Sequence, residues 1–274
     1  MAIHSFLKAE RDDPDWQFTP DEYYGKEFKI IDAVVIDLQA GATDTVVLRQ
    51  SPIEKEMLAK HLKVLVQENA NLELIIINEV DANLQQVFLY DIHLEVGATL
   101  SLGLFAKDGK LNKHIIQVAL EDDSKIAAYG LISNECEGDT EIITKIVHRG
   151  AGSASTQLFS GLAGENSQTV FQGITIAEHA AIESEMLIEN TNLVTGLAGR
   201  CFSKPENYSN AEFVTISQTS ETDTISLEKI SYLQSRGIPE DIARNIVVAG
   251  FRNQVIDIII SDTIRQEVTE MYVE

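Results

Sequence analysis

From Phe28 to Thr224 the chain is written in short runs of β-branched and aliphatic residues, each bounded by Gly, Asp, Asn or Ser. Phe28 to Leu48 reads as two strands around the turn-like Ala40-Gly41-Ala42, because branched side chains fit a pleated surface and the turn residues break it. A helical period interrupts once. Ser51 as N-cap, Pro52 at the first helical position and Glu54 closing a capping box precede Ile53, Met57, Leu58, Leu62, Leu65 and Val66, which predicts a helix near 52–67 packed on a sheet. From Leu72 the short β pattern takes over for the rest of this stretch.

Within it a motif recurs: GATLSLGLF from Gly97, DSKIAAYGLI from Asp123, GSASTQLFSG from Gly152 and HAAIESEMLI from His179. With Ala98, Ser124, Ser153 and Ala180 taken as equivalent, the spacings are 26, 29 and 27 residues. Such a period predicts the stacked coils of a solenoid, each burying its inward residues on its neighbours. A β-sandwich with hairpins of similar length would give a comparable spacing and stays open at this level. After Asp223 the pattern turns helical. Ser226 caps one helix, Gly237 ends it, and Pro239 starts another that runs onward toward Met271. Ile242, Ile246, Val247, Phe251, Val255, Ile258 and Ile259 form a wide apolar stripe on it, suited to the β domain or to a partner. The expected organisation is a lead-in over 1–27, a β domain over 28–224 with the helix near 52–67 inserted, and a helical region over 225–274.

Composition narrows the function classes. With 43 acidic against 21 basic residues the formal charge is -22, which repels phosphate backbones and anionic headgroups, so neither nucleic acid nor a membrane surface is an expected partner. Residues 1–25 carry no apolar signal-peptide core and no apolar run approaches a bilayer's span, which predicts a cytoplasmic protein. There is no GxxxxGK[ST] loop for nucleotide, no GxSxG elbow, and no HExxH among six scattered histidines. Cys136 and Cys201 are the only cysteines, too few for a disulfide framework or a zinc site, and no metal site is expected. A carbohydrate-active solenoid would need basic residues in its cleft, and a hexapeptide-repeat acyltransferase a six-residue aliphatic period; neither pattern is present. The chain therefore does not read as an enzyme.

The string Tyr232-Leu-Gln-Ser-Arg-Gly-Ile238, followed by Ala243 and Gly250-Phe251, resembles the C-terminal signature of the SufB/SufD family, YLxSRGI with an alanine and a closing GF. Phe171-Gln-Gly173, Glu189-Asn-Thr-Asn-Leu193 and Lys204-Pro205 agree with upstream family elements in family order, so that the likeness covers residues 145–260. It implies a right-handed parallel β-helix with a C-terminal helical region. It also implies partners: a SufC-type ABC ATPase docked on those helices, through Tyr232, Arg236, Gly237, Ile238, Ala243 and Phe251, and a SufB/SufD-like paralogue or a second copy paired in a dimer. The function so implied is that of an accessory, SufD-like scaffold in iron–sulfur cluster assembly.

One departure stands out. Where the family's CSHGAT segment places cysteine and histidine, this chain has Ile216 and Gln218. An isoleucine offers iron or sulfide no donor and an amide only a weak one, whereas thiolate and imidazole bind both. The chain is therefore expected to hold no cluster stably, a cluster being at most transient in the complex. The alternative is a diverged SufD-like interaction protein with no cluster role.

Overall fold

The computed structural model describes residues 30–50 and 57–272. Fourteen strands wind through them into two seven-stranded sheets. The first contains β1 (Ile30–Leu38), β3 (Met57–Val66), β5 (Gln85–Leu94), β7 (Leu111–Leu120), β9 (Gly138–His148), β11 (Ser167–Ala177) and β13 (Arg200–Ser209) in that order. The second contains β2 (Thr43–Gln50), β4 (Asn71–Glu79), β6 (Thr99–Lys107), β8 (Lys125–Asn134), β10 (Ala154–Ala163), β12 (Glu185–Val194) and β14 (Thr215–Thr224). Each coil gives one strand to each sheet, and every pairing among the described strands is parallel. That is a parallel β-solenoid, and it excludes the sandwich, whose sheets are antiparallel.

The repeat is set at the turn that leads from the first sheet to the second. One residue per coil takes a left-handed conformation there: Gly41, Asn69, Gly97, Asp123, Gly152, Glu183 and Phe213, with φ between 54° and 70°. Glycine, asparagine and aspartate tolerate that region, which explains the first five. The N–H of Asn69 donates to the Val96 carbonyl at 3.0 Å, that of Gly97 to Asp122 at 2.9 Å and that of Gly152 to Ile182 at 2.9 Å, so each turn is tied to the next coil. Immediately after this residue sits a buried small one, Ala70, Ala98, Ser124, Ser153 or Ser184. The fourth member of the sequence repeat is thus Ser184, not Ala180: Ala154 pairs with Glu185, so the last spacing is longer than the sequence suggests.

The segment expected to be helical is corrected. Residues 57–66 form β3, while Ser51, Pro52, Ile53 and Glu54 lie outside the described residues. Leu62, Leu65 and Val66 satisfy a helical spacing, but Leu62, Val64 and Val66 also satisfy a period of two. In the stack that second set faces the lumen at 5% exposure or less, with β1 and β5 bonding both edges. Long-range pairing outweighs the local capping preference. The lead-in over 1–27 also lies outside the described residues.

Inward-facing side chains of both sheets build the main core, from Leu62, Tyr90, Ile116 and Leu104 to Phe159, Phe171 and Ile188. The lumen changes character along its length. Toward the later coils Thr144, Gln157 and Thr175 bond one another, and Asn190 Nδ2 donates to the Phe159 carbonyl at 2.9 Å. Two histidines are sealed inside. His114 lies against Phe88, with Tyr90 Oη 2.8 Å from its Nδ1, and His148 sits between Ser153 Oγ and Ser155 Oγ at 2.8 Å each. Burial drives their pKa values down from 6.5 to about 3 and about 4.

A buried histidine held neutral leaves stability untouched above pH 6.5, where the unfolded chain is neutral too. Below it, the unfolded state binds protons that the folded state refuses, down to the folded pKa. Urea denaturation should therefore show stability falling between pH 7 and pH 5, by about 2 kcal/mol per buried histidine. The His148→Gln variant should lose less over the same interval; an equal loss would mean that His148 does not drive it.

Candidate functional site

Three helices follow the last strand: α1 (Leu227–Ser235), α2 (Glu240–Ile256) and α3 (Asp262–Met271). Ser226 caps α1 by accepting from the Lys229 N–H at 3.3 Å, and Gly237, at φ 85°, makes the left-handed turn into α2. The long second helix read from the sequence is two helices. α2 stops at Ile256, and the chain turns through Asp257–Ser261 before α3, where the Arg265 guanidinium donates to the Ile259 carbonyl.

The end of α2 and all of α3 are bound to the outer face of the second sheet. Outward-facing Ile75, Ile77, Phe105, Tyr129 and Leu131 bury themselves against Val255, Ile256, Ile259, Val268, Met271 and Tyr272, with Phe251 and Leu158 packed alongside. Polar ties surround this cluster. Tyr272 Oη donates to the Leu131 carbonyl at 2.8 Å, and burial holds its pKa well above the usual phenol value. Lys107 Nζ donates to the Met271 carbonyl at 2.6 Å, and Arg49 pairs in two-pronged fashion with Glu267 at 2.5 and 2.6 Å. Arg252 donates to both the Tyr272 carbonyl and Glu135, with its guanidinium 5.6 Å from the Tyr272 ring centre.

The other half of the helical region is open. Leu227, Tyr232, Ile242 and Ile246 are exposed, at 73%, 59%, 49% and 45%. Arg236 lies over the Tyr232 ring at 5.4 Å, which keeps a guanidinium and an aromatic edge together at the surface. Of the residues that the family likeness marks for docking, Tyr232, Arg236 and Gly237 are thus at the surface and Ile238 is half-buried. Ala243 is fully buried and Phe251 belongs to the cluster on the sheet. Sequence reasoning treated the stripe as one face, whereas the structure divides it between the sheet and the solvent.

A second feature is the terminal coil, β13 and β14. Among the described residues β13 pairs only with β11 and β14 only with β12, and β14 is exposed along its whole length. By register Ile216 follows the buried Met186 and Gln218 the buried Ile188, so both belong to the lumen-facing set at its open end. Gln218 Oε1 accepts from Asn207 Nδ2 at 2.7 Å, an exposed amide pair between β14 and β13. Cys201 also lies in this coil, its Sγ accepting from Thr169 Oγ1 at 3.1 Å, while Cys136 lies in the turn between β8 and β9. Burial pushes both thiols up, away from the thiolate form that binds metal. Among the described residues no three His, Cys, Asp or Glu side chains are grouped so as to hold a metal ion.

Residues 23–251 match the family described as SUF system FeS cluster assembly, SufBD core domain. The chain belongs to the SufBD core family. It is 24% identical over 180 residues to the iron-sulfur cluster assembly protein SufD of Escherichia coli, covering 65% of this chain and 42% of that protein. Against an iron-sulfur cluster assembly SufBD family protein of Synechocystis the identity is 26% over 151 residues, 54% of this chain and 33% of the relative. SufD of Bacillus subtilis is 27% identical over 114 residues, 42% of this chain and 26% of that protein. The matches thus span less than half the length of these SufBD relatives.

The sequence missed Arg252, Lys107 and Tyr272, which tie the helices to the solenoid. Arg252 and Lys107 offered no signal, being lone charges in amphipathic segments. Tyr272, an aromatic near the chain end beside Met271, was a signal that could have been used. Because Phe251 packs on the sheet, Phe251→Ala should lower folding stability by about 2–4 kcal/mol in urea denaturation. A loss below about 0.5 kcal/mol would mean that the ring faces solvent.

Proposed function

We propose that the chain is an accessory scaffold subunit of a SUF-type iron–sulfur assembly complex, docking a SufC-type ABC ATPase through the exposed face of α1 and α2. The observation that carries this reading is the division of the helical region. One half is fastened to the solenoid, and the other presents Leu227, Tyr232, Ile242 and Ile246 to solvent at the family's signature segment. Exposed aromatic and aliphatic anchors beside an arginine are the composition of an interface centre. The ATP chemistry then belongs to the partner, since this sequence has no phosphate-cradling loop.

The open terminal coil supports a second contact, with a SufB/SufD-like subunit or another copy of this chain, because two unpaired edge strands invite further strand pairing. The cluster is cargo in this reading. With Ile216 and Gln218 in the terminal coil, and two thiols that burial keeps toward the protonated form lying in different coils, the chain lacks the ligand set that an iron–sulfur centre requires. In this reading cluster ligands come from the paired subunit and the assembly works in the cytoplasm. Among the described residues no helix is long and apolar enough to cross a membrane. The same Ile216 and Gln218 favour the second reading, a diverged interaction protein that keeps the docking end without a cluster role.

Tyr232→Ala and Ile246→Glu should each weaken co-purification with a SufC-type ATPase by roughly tenfold or more while changing folding stability by less than about 0.5 kcal/mol. Unchanged binding by both variants would move the interface elsewhere. Deleting 227–274 is a poor substitute, because it uncovers Ile75, Ile77, Phe105, Tyr129 and Leu131 on the sheet. After anaerobic reconstitution the isolated chain should show no charge-transfer absorption from thiolate-bound iron. A stoichiometric cluster would contradict the accessory role, and its loss in Cys201→Ser would locate the ligand.

A further inference from the structure

We propose that Gly250 is a hinge within α2, about which α1 and the first part of α2 swing as a unit relative to the solenoid. The proposal starts from a glycine without a packing reason. Glycine weakens a helix interior relative to alanine, so it is usually kept there because a Cβ would collide with something. At Gly250 a Cβ would meet nothing within 4 Å. Most solenoid glycines, by contrast, are sterically required: a Cβ on Gly130 would strike the Leu104 carbonyl and one on Gly138 the Gly109 carbonyl, while Gly41, with open space around it, takes a left-handed backbone. Gly250 lies between two parts of α2 that are held differently. Every α2 side chain in the apolar cluster on the sheet comes after it, namely Phe251, Val255 and Ile256, and Arg252 fastens that part to Glu135 and the Tyr272 carbonyl. Before it, Ala243 is the one buried residue of α2, and the main packing partner of α1 is α2. Ile242, Ile246 and Gly250 follow at intervals of four, so the open side of the glycine is on the same exposed face as the two isoleucines.

A helix so arranged bends where its hydrogen-bond ladder is weakest, and a glycine just before a fixed anchor concentrates the bend there. Two flanking features localise it further. Gly237, also with open space around it, joins α1 to α2, but the two helices pack on each other and move together. On the far side the Arg252 ties and the buried Tyr272 hold the chain to β6 and β8 through the Ala106 and Leu131 carbonyls. The hinge deepens the docking reading, since the swinging unit carries the exposed Tyr232, Ile242 and Ile246 and its orientation would set how a partner is held. Its test uses the chain alone, so a missing partner and a missing hinge give different results.

The experiment is pulsed electron–electron spin resonance on the full chain in a Cys136→Ser, Cys201→Ser background. One label is placed on the solenoid turn by Ala180→Cys, and the other on α1 by Gln234→Cys or, as the fixed control, on α3 by Thr263→Cys; all three positions are exposed. The Ala180–Gln234 distances should be distributed more widely than the Ala180–Thr263 distances. Gly250→Ala, which adds a methyl group into open space and leaves the fold intact, should narrow the first distribution to the control width and leave the second unchanged. Equal widths in the parent chain would overturn the proposal. So would a broad Ala180–Gln234 distribution that persists in Gly250→Ala, which would put the motion at another joint such as Gly237.

Discussion

Everything in this molecule depends on the register between successive coils. At one turn of each coil a residue must adopt a left-handed backbone, and it then directs its N–H to a carbonyl of the next coil. That bond fixes which residue of β4 lies beside which of β6, and so for every later pair. In a parallel stack a slip of one residue would exchange the inward and outward sets on a whole strand. The column Gly41, Asn69, Gly97, Asp123, Gly152 is therefore a constraint that the rest inherits. Once it holds, Leu72, Leu74 and Ile76 must face the lumen, and Ile75 and Ile77 must face out.

The outward set decides where the helices go. An aliphatic and aromatic patch spanning β4, β6 and β8 is costly to leave in water. The end of α2 together with α3 covers it, and Tyr272, Lys107 and Arg252 donate to the Leu131, Met271 and Tyr272 carbonyls around the cover. Because the cover is asymmetric, α1 and the first turns of α2 are left to project from it. The exposed Tyr232, Ile242 and Ile246 thus follow from the same register that packs the core.

How much of this could be read in advance varied with the physics of each segment. The repeat strings beginning at Gly97, Asp123 and Gly152 start on the left-handed residues themselves, since only a few residue types are comfortable there. The fourth string failed because its turn uses Glu183, which carries no such signal, after a longer connection through His179 to Ile182. Strand β3 was hidden by the coincidence of two periods in Leu62, Leu65 and Val66, and only the flanking β1 and β5 resolve it. At the candidate site, Tyr232, Arg236 and Gly237 were legible as a motif. That Phe251 faces inward depends on a sheet surface far away in sequence, built by Phe105 and Tyr129, which no local pattern announces.

The central claim is that one half of the helical region is fastened to the solenoid while the other is free to receive a partner. Amide hydrogen exchange of the chain with and without a SufC-type ATPase tests it most directly. The account predicts added protection across residues 227–249 on binding and none across 255–272, which are already protected in the chain alone. Protection gained at 255–272, or fast exchange there before any partner is added, would contradict it.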